Sequence, residues 1–497
     1  MDSNHGLKRL PLFIPGLPVF YLLHMITGYY PVIKSRDVLL PAAALFILVP
    51  VLVYILIAVI KPAWKKFALL VFYLEILYFF YGALHDFFKD YLPLLSRYLF
   101  FLPLLLIITV YLFYRAIKAK ALPARLCLYL NTAMLVIIAI EAVQWIAIES
   151  SNGHSRFWFN RSAAPVALHN CTDCQKPDIY FIIWDEYTGS RTLQQYWHYD
   201  NSAMDSFFRQ NGFFLADQST SNYNFTPYSI GSMLNMEYHH KRFTKKIDVL
   251  QYCKGIQTVE NNFLCHYLQQ NGYSIINQSF FPLPGANAPF NISYLSDKKV
   301  ILTAQTLPDR MTADIGWHVN MKPHNYSEDD NLVRGRYSLQ QIKTTYDTIF
   351  RIAEQKTTAP VFVYAHLVLP HSPYFFDSTG AVTPEKDWYN PANDKERYLS
   401  QLKYTNTLIK KLASHLLHTG NRPRIILIQS DHAYRMFENN MGDSLEFRNL
   451  NAVYFPGQQY NDLYNSMSSV NLFRIILRKY FNEPVNLLKD STVYIRR

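Results

Sequence analysis

The chain predicts an N-terminal all-α transmembrane bundle of about five helices, followed by an α/β domain with a mostly parallel sheet. Three observations carry that expectation. Residues 1–150 hold five apolar stretches of membrane-crossing length, which takes roughly 20 residues each. The remainder alternates short apolar runs, rich in β-branched and aromatic residues, with helix-like stretches. Three of those runs end in acids or histidines, where ligands gather beyond the carboxyl ends of parallel strands.

The apolar stretches cover residues 11–30, 38–60, 67–84, 98–114 and 126–147. Pro15 and Pro18 interrupt the first; no small-residue cleavage site follows it, so it reads as a span rather than a signal peptide. Basic residues mark alternate loops: Lys8 and Arg9, then Lys61, Lys65 and Lys66, then Arg115, Lys118, Lys120 and Arg125. The intervening loops mix signs, so the amino terminus is expected in the cytoplasm and everything after the fifth span outside it. The net charge of +11 is largely this topological signal and gives no reason to expect nucleic acid as a partner. Glu75 lies mid-span, where an acid is a functional candidate, with His24 as a possible partner across the bundle.

Residues 151–175 read as a polar linker and 176–497 as one extracytoplasmic domain. Cys171, Cys174, Cys253 and Cys265 all fall outside the membrane half, and local bridges within each pair are expected in an oxidising compartment, although spacing does not settle the connectivity. Six Asn-x-Ser/Thr triplets, Asn224 among them, are uninformative at this stage. Strands are expected at 179–184, 273–277, 361–367, 424–430 and 451–455, and helices at 202–211, 259–271, 332–354, 396–417 and 468–481.

One Asp-Glu pair after a strand is ordinarily a solvated turn; repetition at three strand ends changes the reading. Asp185 and Glu186 close the first run, His366 closes VFVYAHL with His371 following in a Pro-bounded loop, and Asp431-His432 follows RIILIQS. Carboxylates and imidazole together suit manganese, magnesium or zinc better than a soft metal. Thr226 precedes Pro227, a residue favoured in the first helical turn, so Thr226 is expected to cap a helix at its positive end, where an anionic group is also attracted.

These residues resemble the alkaline phosphatase superfamily: Asp at the first strand end, Thr opening a helix about forty residues on, His-x-x-x-x-His in HLVLPHSP, and Ser-Asp-His after a late strand. The closer resemblance is to its membrane-anchored sulfatase-like branch, which includes lipoteichoic acid synthases and phosphoethanolamine transferases. NLNAVYFPG and SSVNLFRIILRKYFN are similar to the carboxyl end of that domain, and the likeness covers about residues 176–484 by motif and the membrane half by architecture alone. It implies one divalent metal ion (Mn2+, Zn2+ or Mg2+) on Asp185, Thr226, Asp431 and His432, with Thr226 also the nucleophile. His371 would contact phosphate or assist the leaving group, and His366 would do the same or help to hold a second metal. Glu186 stands where many relatives have a small residue, and is either a further ligand or a supporting group. The implied activity is transfer of a phosphoglycerol- or phosphoethanolamine-like group, at the outer face of the cytoplasmic (inner) membrane, from a membrane lipid to a glycan, lipid or polymer hydroxyl. Two alternatives stand beside it: a sulfatase-like hydrolase, and a scaffold that has lost turnover. Formylglycine chemistry needs Cys or Ser at the nucleophile position, and this chain has Thr226-Pro227-Tyr228-Ser229.

Overall fold

The computed structural model describes residues 10–29, 48, 51–52, 54–55, 62–119, 122–150, 171, 173–239, 249–290, 302–315, 328–390, 392–437 and 443–496. The chain divides into two compact units, Met1–Phe159 with Ser293–Ser327, and Asn160–Ile292 with Glu328–Arg497.

In the first unit lie α1 (Phe13–Gly28), α2 (Ala68–Tyr91), α3 (Tyr98–Lys118) and α4 (Ala124–Ser150). Lys65–Tyr91, Tyr98–Lys118 and Ala124–Ala147 are long and apolar enough to cross a membrane, whereas α1, at 16 residues, is shorter. The expected span at 38–60 falls largely outside the described residues. Leu99, Leu106 and Ile107 of α3 are exposed, as a lipid-facing surface requires. His24 does not pair with Glu75, as the sequence reading had it. Its Nδ1 lies 2.8 Å from Glu141 Oε1 on α4, and the Thr27 hydroxyl donates to Glu141 Oε2 at 2.6 Å, because α1 packs along α4.

The same unit takes in a short helix from far along the chain. Leading into it, the carbonyl of Gln305 accepts the Gly82 N–H at 2.9 Å, and a Cβ at residue 82 would come within 3.2 Å of the Gln305 Cα. The Tyr21 hydroxyl donates to the Leu302 carbonyl at 2.6 Å, and Arg310 bridges Asp86 (2.5 Å) and Asp314 (2.9 Å).

The second unit is built on a six-stranded sheet of β1 (Asp178–Trp184), β2 (Phe214–Leu215), β3 (Ser274–Gln278), β4 (Val361–Leu367), β5 (Arg424–Gln429) and β6 (Asn451–Tyr454), ordered β2-β6-β5-β1-β4-β3. β5, β1, β4 and β3 are parallel; β6 and β2 add an antiparallel edge. Every residue of β1, β4 and β5 is buried, which is why those strands read as unbroken apolar runs rather than alternating ones.

Helices cover both faces. In chain order they are α5 (Ser190–Trp197), α6 (Ser202–Gln210), α7 (Thr226–Asn235), α8 (Val249–Glu260), α9 (Phe263–Gln270), then, with Leu307–Ile315 of the first unit counted as α10, α11 (Glu328–Glu354), α12 (Asp394–His418) and α13 (Leu472–Phe481). Successive β1 residues point to opposite sides. Tyr180 lies under the Arg424 guanidinium, which donates to carbonyls of α11 and α12, while Phe181 packs edge-on against Phe473 of α13 at 5.1 Å. The helix expected at 259–271 is two helices: the Asn262 side chain accepts the Cys265 N–H at 2.8 Å and starts α9. Cys171 and Cys174 form a disulfide, but Cys265 is a free, fully buried thiol, so the second expected bridge is absent.

Candidate active site at the carboxyl edge of the sheet

Register brings the three strand ends together. Ile183 lies beside both His366 and Gln429. Asp185 is two residues beyond Ile183, and Asp431 two beyond Gln429. The two-residue pleat therefore aims Asp185, His366 and Asp431 to one face. Each offers a ligand atom, all within 4.8 Å of one another, and all three residues are buried. His366 Nε2 is 3.4 Å from Asp185 Oδ2, and its Nδ1 meets the Tyr364 hydroxyl at 3.1 Å.

His432 joins them from the other side. Its Nε2 lies 3.2 Å from Asp431 Oδ2 and 3.7 Å from Asp185 Oδ1. Nδ1 faces the Ala433 carbonyl at 2.9 Å, and a carbonyl can only accept, so Nδ1 carries the proton. Burial, with Arg435 nearby, pushes His432 well below its usual pKa and keeps the ring neutral. When Asp431 is ionised, the Nε2 lone pair faces two carboxylate oxygens with no proton between them. Acceptors converging on acceptors in a buried site are the arrangement a cation relieves, and the residues present fit a divalent ion. The carboxylates respond in opposite directions. Burial and the charge of Asp185 push Asp431 up to about 7; burial also opposes ionisation of Asp185, but His371 and His366 outweigh it and hold that carboxyl below its ordinary range.

Thr226 comes to the same place from α7, whose start differs slightly from expectation. Phe225, in extended conformation, is the cap residue, and Thr226 is the first helical residue. Its hydroxyl is therefore not spent on capping and lies 3.3 Å from His432 Nε2. Pro227 has no N–H, and the amides of Tyr228 and Ser229 both donate to the Phe225 carbonyl. Among the first four residues of α7 only the Thr226 amide is left for an anion, a narrower cradle than a helix start ordinarily offers. The Ser229 hydroxyl donates to the Asp431 carbonyl at 2.5 Å and pins the first turn of α7 to the loop after β5.

Glu186 turns away from the cluster. Its backbone is left-handed, φ +63°, a conformation that is strained for a residue with a side chain. Neighbouring elements hold it there: the Tyr398 hydroxyl donates to the Glu186 carbonyl at 2.8 Å, and the Tyr187 N–H donates to Ser430 Oγ at 2.8 Å. The Glu186 carboxylate accepts from the Arg435 N–H at 3.1 Å and Nε at 3.2 Å, and lies 3.8 Å from His371 Nε2. Arg435 Nη2 donates to His371 Nε2 at 2.7 Å, while His371 Nδ1–H is taken by the Ser372 carbonyl. His371 so placed aims Arg435. Arg435 is the participant that sequence reasoning missed; nothing in its spacing after Asp431-His432 distinguishes it from a surface arginine. Asn224, a sequon by sequence, is fully buried and hydrogen-bonded to Glu446, so that triplet offers no glycan site.

The sulfatase family model matches residues 177–476. No curated protein sequence matches the chain. Among solved structures, the C-terminal periplasmic domain of EcEptC from Escherichia coli aligns over 67% of this chain and 94% of its own, at 11% identity and a TM-score of 0.39. The integral membrane lipooligosaccharide phosphoethanolamine transferase A from Neisseria meningitidis aligns over 94% of both chains at 13% identity and a TM-score of 0.36. The phosphonate monoester hydrolase of Agrobacterium radiobacter covers 61% of this chain and 73% of its own at 10% identity and a TM-score of 0.37.

Proposed function

This chain belongs to the sulfatase family of enzymes, which act on phosphate or sulfate esters, and from that premise we propose that it is a metal-dependent phosphotransferase at the outer face of the membrane. The group moved is phosphoglycerol- or phosphoethanolamine-like, the donor a membrane lipid, and the acceptor a hydroxyl of a glycan, lipid or polymer. One observation supports this reading most: the Thr226 hydroxyl is free of any capping role and lies beside a buried pair of carboxylates.

Asp185, Asp431, His432 and Thr226 would hold the cation, with His366 as a further donor in the same cluster. When bound, such an ion lowers the pKa of a ligated hydroxyl and offsets negative charge on phosphorus. Thr226 Oγ1 attacks phosphorus, forming a phosphothreonine ester as the bond from phosphorus to the lipid oxygen breaks. The proton lost from Thr226 is balanced by the one the departing lipid oxygen takes up. The acceptor hydroxyl then displaces Thr226 Oγ1 and returns a proton to it. His371 and Arg435 act as an oriented pair toward the phosphoryl oxygens, with Glu186 fixing Arg435 in place.

The test is intact-mass analysis of the full-length protein after incubation with vesicles of phosphatidylethanolamine or phosphatidylglycerol. A mass gain localised to Thr226 identifies the transferred group. Thr226→Ala is expected to lose the adduct and, on the order of a thousandfold or more, turnover, while Thr226→Ser keeps part of both because the hydroxyl survives. Turnover of Thr226→Ala near the wild-type rate overturns the transferase reading in favour of attack by water.

A further inference from the structure

A cavity of about 220 Å3 opens between the loop leaving β1, the start of α5 and the segment leading to β6, and no step above uses it. Gly189, Arg191, Thr192, Gln218, Ser444 and Arg448 are among the twelve residues that line it, and the wall is largely polar. Among the described residues neither Arg191 nor Arg448 has a carboxylate partner; Arg448 reaches only the Gln218 carbonyl, at 3.4 Å. Asp217, the carboxylate on the wall, faces Arg209 at 3.9 Å, so the surroundings keep a positive balance. Thr192, 94% buried as a residue, also lines the cavity. Two guanidiniums without carboxylate partners around one polar cavity make a site suited to an anion.

Position gives the cavity its meaning. Gly189 lies four residues beyond Asp185, so the two Cα atoms are at most about 14 Å apart. The Gly189 N–H is bonded to the Arg448 carbonyl at 2.9 Å, which ties both walls to the loop that carries Asp185.

We propose that this cavity is a second anion subsite, which receives a phosphate or carboxylate group of the substrate other than the phosphoryl group being transferred. It rests on the phosphotransferase reading only for the identity of that substrate as the acceptor, since phosphatidylethanolamine and phosphatidylglycerol carry no anionic group beyond the phosphate transferred. Guanidiniums at an open cavity bind such an oxyanion by charge-assisted hydrogen bonds, and the hydroxyl of Thr192 on the same wall can add a donor. The substrate class that follows carries, besides its reacting hydroxyl, an anionic group a short headgroup or one sugar away.

The experiment is equilibrium binding to full-length Asp431→Ala in detergent, a background in which the cluster no longer competes for the probe. Glucose 6-phosphate stands for a phosphorylated sugar acceptor, glycerol 3-phosphate for a glycerol phosphate acceptor, and glucose for neither. Expected are binding of a phosphate ester but not of glucose, and about a tenfold or greater weakening in Arg191→Glu/Arg448→Glu, the worth of one charge-assisted bond. Raising salt from about 50 mM to about 500 mM should weaken binding similarly, because the arginines are exposed. Thr192→Val is expected to lose several-fold, and Arg191→Gln/Arg448→Gln serves if the charge reversal disturbs folding. Preference for one phosphate ester over the other assigns the acceptor to the phosphorylated sugars or to the glycerol phosphates. Equal binding in the Arg191/Arg448 variants, or no binding of either ester, overturns the proposal, while a Thr226 adduct seen by mass would leave the transferase reading standing.

Discussion

Replacing Asp431 with Asn should stabilise the cation-free protein at pH 8 while abolishing its response to metal. Burial and the neighbouring Asp185 raise the Asp431 carboxyl from an ordinary 3.8 to about 7. A raised carboxylate pKa means that the folded state holds its proton more tightly than the unfolded chain does. The associated stability is complete below about pH 4, declines as pH rises through the window to about 7, and is gone at pH 8. Three units correspond to about 4 kcal/mol. Asparagine removes that dependence without disturbing the contacts. Its Oδ1 keeps the Glu186 N–H, 3.2 Å away, and an amide N–H in place of Oδ2 can donate to the His432 Nε2 lone pair at 3.2 Å. In chelator, Asp431→Asn is therefore expected to melt several degrees above wild type at pH 8, up to about ten, and level with it near pH 4. With cation at about a thousand times its dissociation constant, wild type gains about 4 kcal/mol and the variant none. Differential scanning fluorimetry of the detergent-solubilised full-length protein reads all three conditions. Asp431→Asn melting at or below wild type at pH 8 in chelator would refute the acceptor-against-acceptor account of the cluster.

Cation affinity itself should fall about tenfold per pH unit below about pH 7, as one proton on Asp431 competes with the ion; a flat profile by calorimetry would contradict this. Arg435→Met leaves the buried Glu186 carboxylate without its guanidinium and is expected to cost about 3–5 kcal/mol in denaturant unfolding, most of it recovered in Glu186→Gln/Arg435→Met. Equal losses in the single and double variants would show that packing, not charge, dominates there. Reporter fusions at residues 61–66 and 115–125 should report from the cytoplasm and fusions after residue 160 from outside it; a carboxyl-terminal fusion active only in the cytoplasm reverses the orientation drawn from the basic loops.

Much of the second unit was legible because parallel, doubly buried strands need apolar side chains on both faces and so write themselves as unbroken runs. β4 was expected at 361–367 and occupies Val361–Leu367; β1 and β5 differ from expectation by one residue at one end. What was missed is short or local. β2 has two residues, too few to show any period, and the break between α8 and α9 depends on a single capping side chain, Asn262.

By itself, then, the sequence determined the division into an apolar helical part and an α/β part, the central strands, and the presence of Asp185, His366, Asp431 and His432 at strand ends. Those are properties of residue type and local period, which neighbouring residues carry on their own. Only the tertiary structure decided who meets whom. His24 pairs with Glu141 rather than Glu75 because helix packing, not hydropathy, sets which faces of α1 and α4 touch. Cys265 stays a thiol inside the core. Glu186 leaves the cluster for Arg435 because Tyr398, more than two hundred residues away in sequence, holds its backbone in a left-handed turn. The segment around Arg310 joins the helical unit through Gly82 and Asp86, a match between surfaces distant in the chain. Such pairings are fixed by shape, charge and register across the folded molecule, and no window along a single chain contains them.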